Sequence, residues 1–151
     1  MKIKTNYVVG FIFSADFEQV ALIRKNRQDW QKGLLNGVGG HINPGEAEHE
    51  AMVREAREEA GIETLPDQWR KYAALDGGDF YVACLAVQLQ VLDLTGLVKT
   101  MTDEKIEIHR VRDIHPLRRD MIENTPWLIA LAIDARTDGR PHIVQAHYQH
   151  A

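Results

Sequence analysis

Apolar and polar positions fall into alternating blocks along the 151 residues. Residues 7–14, YVVGFIFS, are almost continuously apolar and rich in β-branched and aromatic side chains, which predicts a strand. Turn-forming residues 14–18 separate it from 19–24, QVALIR, and the pair predicts a hairpin. Residues 26–40 are polar and glycine-rich, which predicts a loop with room for a short strand. Pro44-Gly45 marks a turn. From 47 to 60 the chain has neither Gly nor Pro and many helix formers, and Gly61 stands where a C-terminal cap ends a helix.

Two more apolar blocks, 69–75 and 80–92, flank Gly77-Gly78-Asp79 and predict strands around a turn. In 105–111, apolar Ile106, Ile108 and Val111 alternate imperfectly with polar residues, so another strand is expected. A second helix is predicted over 125–135, with Thr125 as candidate N-cap and Pro126 at the first helical position. Residues 142–148 predict a final strand. No repeat, low-complexity tract or linker divides the sequence, so residues 1–151 are expected to form one domain. Hairpins plus two helices imply a mixed sheet with helices packed on it.

Composition adds few constraints: 44% hydrophobic and 26% charged residues are ordinary for a globular domain. With 18 basic against 22 acidic residues the net charge is −4, which disfavours a nucleic-acid polymer as partner. Arg110, Arg112, Arg118 and Arg119 make a loose basic run that reads as a solvated face. Cys84 is the only cysteine, so no intrachain disulfide forms, and its apolar setting reads as a small buried hydrophobe rather than a nucleophile. Lys2 and Lys4 before the apolar stretch 8–13 mimic a signal peptide, but the stretch is short and Asp16 and Glu18 follow at once. No segment approaches the ~20 apolar residues of a membrane span. A soluble, cytoplasmic protein is expected, as a monomer or homodimer.

The acidic excess has a local source in residues 40–62, GHINPGEAEHEAMVREAREEAGI, which hold six Glu. Glu55, Glu58 and Glu59 stand at i, i+3 and i+4, which places their carboxylates on one helical face within an arc of about 100°. Met52, Val53, Ala56 and Ala60 occupy the adjoining arc and can bury against a sheet. Like charges at this spacing repel and weaken a helix. A divalent cation turns the repulsion into ligation, and hard carboxylate oxygens suit Mg²⁺ or Mn²⁺. Glu48 and Glu50 read as a solvated face. Arg54 and Arg57 fall elsewhere on the wheel from the triplet, and Arg54 lies one turn from both Glu50 and Glu58, within reach of a carboxylate. Gly39 and Gly40, in the glycine-rich loop ahead of the Glu-rich helix, remove side chains where backbone must approach a phosphate or a metal.

This segment resembles the Nudix box, G-x5-E-x7-R-E-U-x-E-E-x-G-U with U aliphatic, at Gly40, Glu46, Arg54, Glu55, Glu58, Glu59 and Gly61. Ala56 and Ile62 hold the aliphatic positions. The resemblance to Nudix hydrolases, in their MutT-like branch, implies a mixed β-sheet sandwiched between helices (α/β/α). It implies metal-dependent hydrolysis of a diphosphate linked to a nucleoside. The expected metal ligands are Glu58 and Glu59, with Glu55 as further ligand or base and the backbone at Gly39 or Gly40 contributing. Arg54 is expected to orient a carboxylate. Glu104 is an added catalytic candidate, because relatives place a Glu before a late strand; Asp103 and Glu107 compete for that role.

Flanking residues resemble the oxidised-purine nucleoside triphosphatases. Residues 30–40, WQKGLLNGVGG, are similar to a segment whose Asn bonds the base, which implies that role for Asn36. Residues 123–127, ENTPW, resemble a segment with two adjacent acids and a nearby Trp; here Glu123 and Asn124 stand for the acids, and an amide offers donor and acceptor together. Trp127 is a candidate to stack on the base, with core packing as the alternative. Arg24 matches a phosphate-contacting position, with a solvated face as the alternative. A nucleoside triphosphate pyrophosphatase is therefore the first expectation. An ADP-ribose or dinucleoside polyphosphate hydrolase is second, with Tyr81 supporting the dinucleoside reading. A non-catalytic nucleotide sensor is third, and it conflicts with retention of every box glutamate.

Overall fold

In the computed structural model, which describes residues 4–27, 30–137 and 144–148, the first apolar run forms strand β1, Thr5–Phe13. The chain continues through β2 (Gln19–Arg24), β3 (Leu35–Asn36), β4 (Val38–His41), helix α1 (Glu48–Ala60), β5 (Arg70–Asp76), β6 (Phe80–Gln88), β7 (Lys105–Arg110), helix α2 (Thr125–Thr137) and β8 (Val144–His147). Short 3-10 turns sit at Pro66–Gln68 and Val111–Asp113.

All eight strands join one mixed sheet, with the path β3-β2-β1-β6-β5-β8 and with β4 added to β1 and β7 to β2. One edge of β1 runs parallel to β6 over its whole length. Its other edge forks: Tyr7 to Gly10 pair with β4, whereas Ile12 and Phe13 pair with β2. Alternation along β1 sends Val8 and Ile12 to one face and Val9, Phe11 and Phe13 to the other. Both faces are buried, which is why this strand reads as a continuous apolar run rather than an alternating one.

Helix α1 covers the Val8 and Ile12 face with Ala51, Met52, Ala56 and Ala60, all buried. Met52 fits because Gly10 lies beneath it; a Cβ on Gly10 would stand 2.5 Å from the sulfur. Helix α2 covers the opposite face with Leu128, Ile129, Ala132 and Ala135. The result is a sheet between two helical layers, as expected. Cys84 is fully buried in the α2 layer, and burial pushes its thiol up to about 12, which suits the inert reading.

Several boundaries differ from the sequence reading for identifiable reasons. The predicted loop at 26–40 contains two short strands, because β1 and β2 supply ladder partners that composition does not reveal. The strand predicted to reach 92 ends at Gln88, where its partner β1 ends at Phe13. Asn124, not Thr125, occupies the cap of α2: the Asn124 carbonyl accepts from the Leu128 amide, and Thr125 is the first helical residue. Of the final strand, 144–147 is seen; His142 and His150 lie outside the described residues. Among the described residues no helix is long and apolar enough to cross a membrane.

Candidate active site

The site begins where β4 is pressed between β1 and α1. Gly39 and Gly40 pair with Val9 and Val8, and a Cβ on Gly39 would lie 2.0 Å from the Val8 carbonyl oxygen. A Cβ on Gly40 would stand 2.6 Å from Glu55 Oε1. Glycine at both positions therefore lets helix carboxylates reach the strand backbone. The Gly39 amide donates to Glu59 Oε1 at 2.7 Å.

Glu59 is 9% exposed, unusual for an acid on a helix. Burial pushes its pKa up to about 7; neighbouring Glu55 and Glu104 reinforce the shift, while the Gly39 amide and Lys25 oppose it. Glu55 is also raised, by burial first, with Arg54 pulling against it and Glu58 and Glu46 adding to it. Glu58 is the outermost of the three, with a half-exposed side chain.

Arg54 is the hub behind these acids. Its Nε and Nη2 grip Glu46 at 2.9 and 3.0 Å, Nη1 donates to Glu55 at 2.8 Å and to Glu58 at 3.4 Å, and Nη2 also reaches the His41 carbonyl at 2.9 Å. One guanidinium thus ties the end of β4 and the loop after it to α1, a geometry that lysine cannot reproduce. The wheel placed Arg54 away from the triplet; its long side chain instead folds along the helix and reaches two of the three acids. Glu50 is exposed, as read. Glu48 departs from the solvated reading, because Lys71 on β5 pairs with it at 2.9 Å.

Glu104 joins the site from the loop before β7. It is 4% exposed, takes Lys25 Nζ at 3.0 Å and accepts from the Asn26 amide at 2.6 Å. Burial opposes its ionisation, but these donors hold its pKa below the usual carboxylate range. Its competitors are placed differently. Asp103 is exposed and paired with Arg27 at 2.8 Å. Glu107 lies opposite Leu22, on the α2 side of the sheet, and is gripped by Arg24.

Glu55, Glu58, Glu59, Glu104 and Gly40 line one cleft of about 1470 Å³. Among the described residues no three carboxylate, imidazole or thiol groups already converge as a ligand set. The donor chemistry nevertheless fits a hard divalent cation: several oxygen donors share a recess in which burial and neighbouring acids resist ionisation of Glu55 and Glu59, and an added positive charge relieves both.

The same cleft reaches Asn36, Glu123 and Asn124. The backbone explains the gathering: Leu35 donates to Asp120 and Ile122 donates to Leu35, so the segment entering α2 runs along β3. Asn36 Oδ1 accepts from the Gly37 amide at 2.8 Å and from the Thr125 hydroxyl at 3.4 Å. An N–H can bond only the oxygen end of a carboxamide, so these bonds leave the Asn36 Nδ2 group to donate elsewhere.

Arg24 and Trp127 do not line it. Arg24 is bound to Glu107 and to the Gly33 carbonyl, and Trp127 stands 41% exposed on α2. Tyr81 is held by Lys71 at 2.7 Å, also outside the cleft. Sequence reasoning missed Lys25, Arg27, Trp30, Phe80 and Tyr148, all of which line it. Period-two alternation along β2 offered a signal for Lys25: Leu22 and Arg24 share the α2 face, so Lys25 falls on the face of the carboxylates.

Comparison with known proteins agrees with this geometry. The NUDIX domain model matches residues 4–128. A CTP pyrophosphohydrolase of Escherichia coli K12 is 41% identical over 62 residues, covering 41% of this chain and 45% of that protein. The match thus spans less than half of the relative. A structure of MutT from Aliivibrio salmonicida and Vibrio cholerae superposes with TM-score 0.70 at 22% identity, covering 87% of this chain and 98% of the other. A NUDIX hydrolase from Nitrosomonas europaea gives TM-score 0.72 at 14% identity over 98% and 81% of the two chains. With most of its length under the family model, this chain belongs to the NUDIX family.

Proposed function

We propose that the chain is a cytoplasmic hydrolase, a monomer or homodimer, that cleaves a nucleoside triphosphate to the monophosphate and pyrophosphate with Mg²⁺ or Mn²⁺. One observation carries this reading: a single cleft joins a recess of crowded carboxylates to an end lined by the carboxamides of Asn36 and Asn124 and the carboxylate of Glu123. A nucleoside triphosphate has matching ends, a polyanion at one side and a base edge at the other. The name of the Escherichia coli relative, which is similar over 62 residues, points to the same substrate class.

In this reading Glu58 and Glu59 are the principal cation ligands, with Glu55 as a further ligand or proton acceptor and the Gly40 backbone contributing. What the cation supplies is neutralisation of the phosphate oxygens and easier deprotonation of the attacking water. The chain's own groups do the rest. Arg54 holds Glu55 and Glu58 together, with Glu55 close to Gly40 of β4. Lys25, paired with Glu104 in the same cleft, supplies positive charge beside the phosphates in place of Arg24. Water adds to phosphorus, the P–O bond to the departing pyrophosphate breaks with its electron pair, and a carboxylate takes the water proton.

Of the alternative substrates, ADP-ribose and dinucleoside polyphosphates, the second loses its residue-level support, since Tyr81 is engaged outside the cleft. The test is release of pyrophosphate and phosphate, with Mg²⁺, across nucleoside triphosphates, oxidised purine triphosphates, ADP-ribose, NADH and dinucleoside polyphosphates. Pyrophosphate from a triphosphate is the expected result. Turnover of ADP-ribose or a dinucleotide alone would replace the substrate, and silence across the panel would favour a sensor.

A further inference from the structure

Phe80 and Tyr148 have no role in the reading above, yet both line the cleft beside Glu123 and Asn124. The Phe80 ring covers Gly77 so closely that a Cβ there would fall 1.8 Å from Cε1, so the glycine turn fixes where the ring stands. Tyr148 follows β8, and its amide donates to the Asp76 carbonyl at 2.8 Å, extending the pairing with β5. The two ring centroids are 6.0 Å apart with planes inclined at 45°. Asn124 Nδ2 donates to the Tyr148 hydroxyl at 3.1 Å. Helix α2 therefore fixes the Asn124 backbone, while the segment following β8 fixes its side chain.

We propose that Tyr148 is a specificity-determining residue of the nucleotide site: its hydroxyl orients Asn124, and its ring with Phe80 forms the aromatic wall on which the base rests. The inference rests on the reading of the cleft as a nucleotide site. A hydroxyl that accepts from Asn124 retains its proton to donate, and the carboxamide retains Oδ1 to accept. Donor and acceptor thus stand side by side, the arrangement that reads a nucleobase edge, where donors and acceptors differ from base to base. Every base has a π-face, so the rings bind without choosing and the polar pair chooses. In this proposal Phe80 and Tyr148 take the aromatic role in place of Trp127, which does not line the cleft.

The test uses the full chain and its Tyr148→Phe and Asn124→Ala variants. Affinities for CMP, UMP, AMP and GMP are measured by calorimetry without divalent cation, beside steady-state kinetics on the triphosphates with Mg²⁺. Wild type should bind one monophosphate more tightly than the others, and Tyr148→Phe, which keeps the ring, should narrow that spread about 5-fold, the scale of one hydrogen bond. Asn124→Ala should narrow it equally, and the double variant no further, because the two act as a unit. The loss in kcat/KM should appear in KM. An unchanged spread in Tyr148→Phe, equal affinities in wild type, or additive effects would overturn the proposal. Base-selective binding without turnover of any triphosphate would instead sink the hydrolase reading and leave this one standing.

Discussion

A carboxylic acid pressed against Gly39 and facing Glu55 and Glu104 keeps its proton up to about pH 7, against an ordinary value of 4.5. Between those values the folded chain binds more protons at Glu59 than the unfolded chain does. Stability from this group is therefore fully present below pH 4.5 and is lost as pH rises through 7, by about 3 kcal/mol in total. Glu55, shifted the same way, adds to the slope. Glu59→Gln keeps an acceptor for the Gly39 amide and removes the charge. Without metal at pH 8 it should melt several degrees above wild type, and the gap should close at pH 5. The same variant should lose turnover by a factor on the order of 100 or more, the scale of losing a preorganised charged group. Thermal melts in chelator from pH 5 to 8 and initial rates in Mg²⁺ decide it; a gap independent of pH would refute the buried-acid account. Arg54→Lys tests the hub. It gives up the two-pronged hold on Glu46, so a loss on the order of 2 kcal/mol and a fall of about 10–100-fold in kcat are expected, read by denaturant melts and kinetics.

Strand β4 and helix α1 form one device, with one critical glycine inside the strand and another just past the helix. Gly61 has φ +67° and ends α1 in the left-handed conformation, with its amide donating to the Arg57 carbonyl. A Cβ there would meet Met101 Sδ at 3.0 Å, the movable end of an exposed side chain. Gly61→Ala should therefore cost about 1 kcal/mol with kcat retained, as measured by denaturant melts and rates. Gly39→Ala has no such escape, since the Val8 carbonyl lies 2.0 Å away in the strand pairing itself. It should fail to yield soluble, cooperatively melting protein, and an active, stable Gly39→Ala enzyme would contradict the register. Much of this device was readable in advance, because helix period, glycine punctuation and carboxylate spacing are local signals. For residues 26–40 the sequence allowed one short strand without placing it, and β3 and β4 are two, since their two and four residues become strand only through partners β2 and β1. The Arg24 assignment also follows from pairing: β7 brings Glu107 beside it, and no pattern within 19–24 reports that neighbour. The wall of Phe80 and Tyr148 joins residues far apart in sequence through β5, which touches both β6 and β8.

The cleft crosses the layers of the sandwich: its acids belong to α1 and the loop before β7, while Glu123 and Asn124 belong to the entry of α2. A ligand spanning it must satisfy both ends at once. The acid end alone repels a triphosphate, because Glu55, Glu58, Glu59 and Glu104 face it, and among the described residues the nearby positive charges are Lys25, Arg27 and the half-buried Arg54, each already paired with an acid. Cation and nucleotide should therefore bind cooperatively, each lowering the cost of the other, and reciprocity requires the same factor in both directions. For a triphosphate analogue with a non-hydrolysable α,β-methylene bridge, Mg²⁺ should tighten binding about 10–100-fold, the usual range of such coupling. The matching monophosphate, which leaves most of the acid end empty, should show a much smaller effect. In Glu59→Gln the coupling should shrink while base preference persists, since Asn36 and Asn124 are untouched. Calorimetric titration of each nucleotide with and without Mg²⁺, in wild type and Glu59→Gln, measures all of these factors. Equal tightening of monophosphate and triphosphate by Mg²⁺ would show that the cation does not sit between the carboxylates and the phosphate chain.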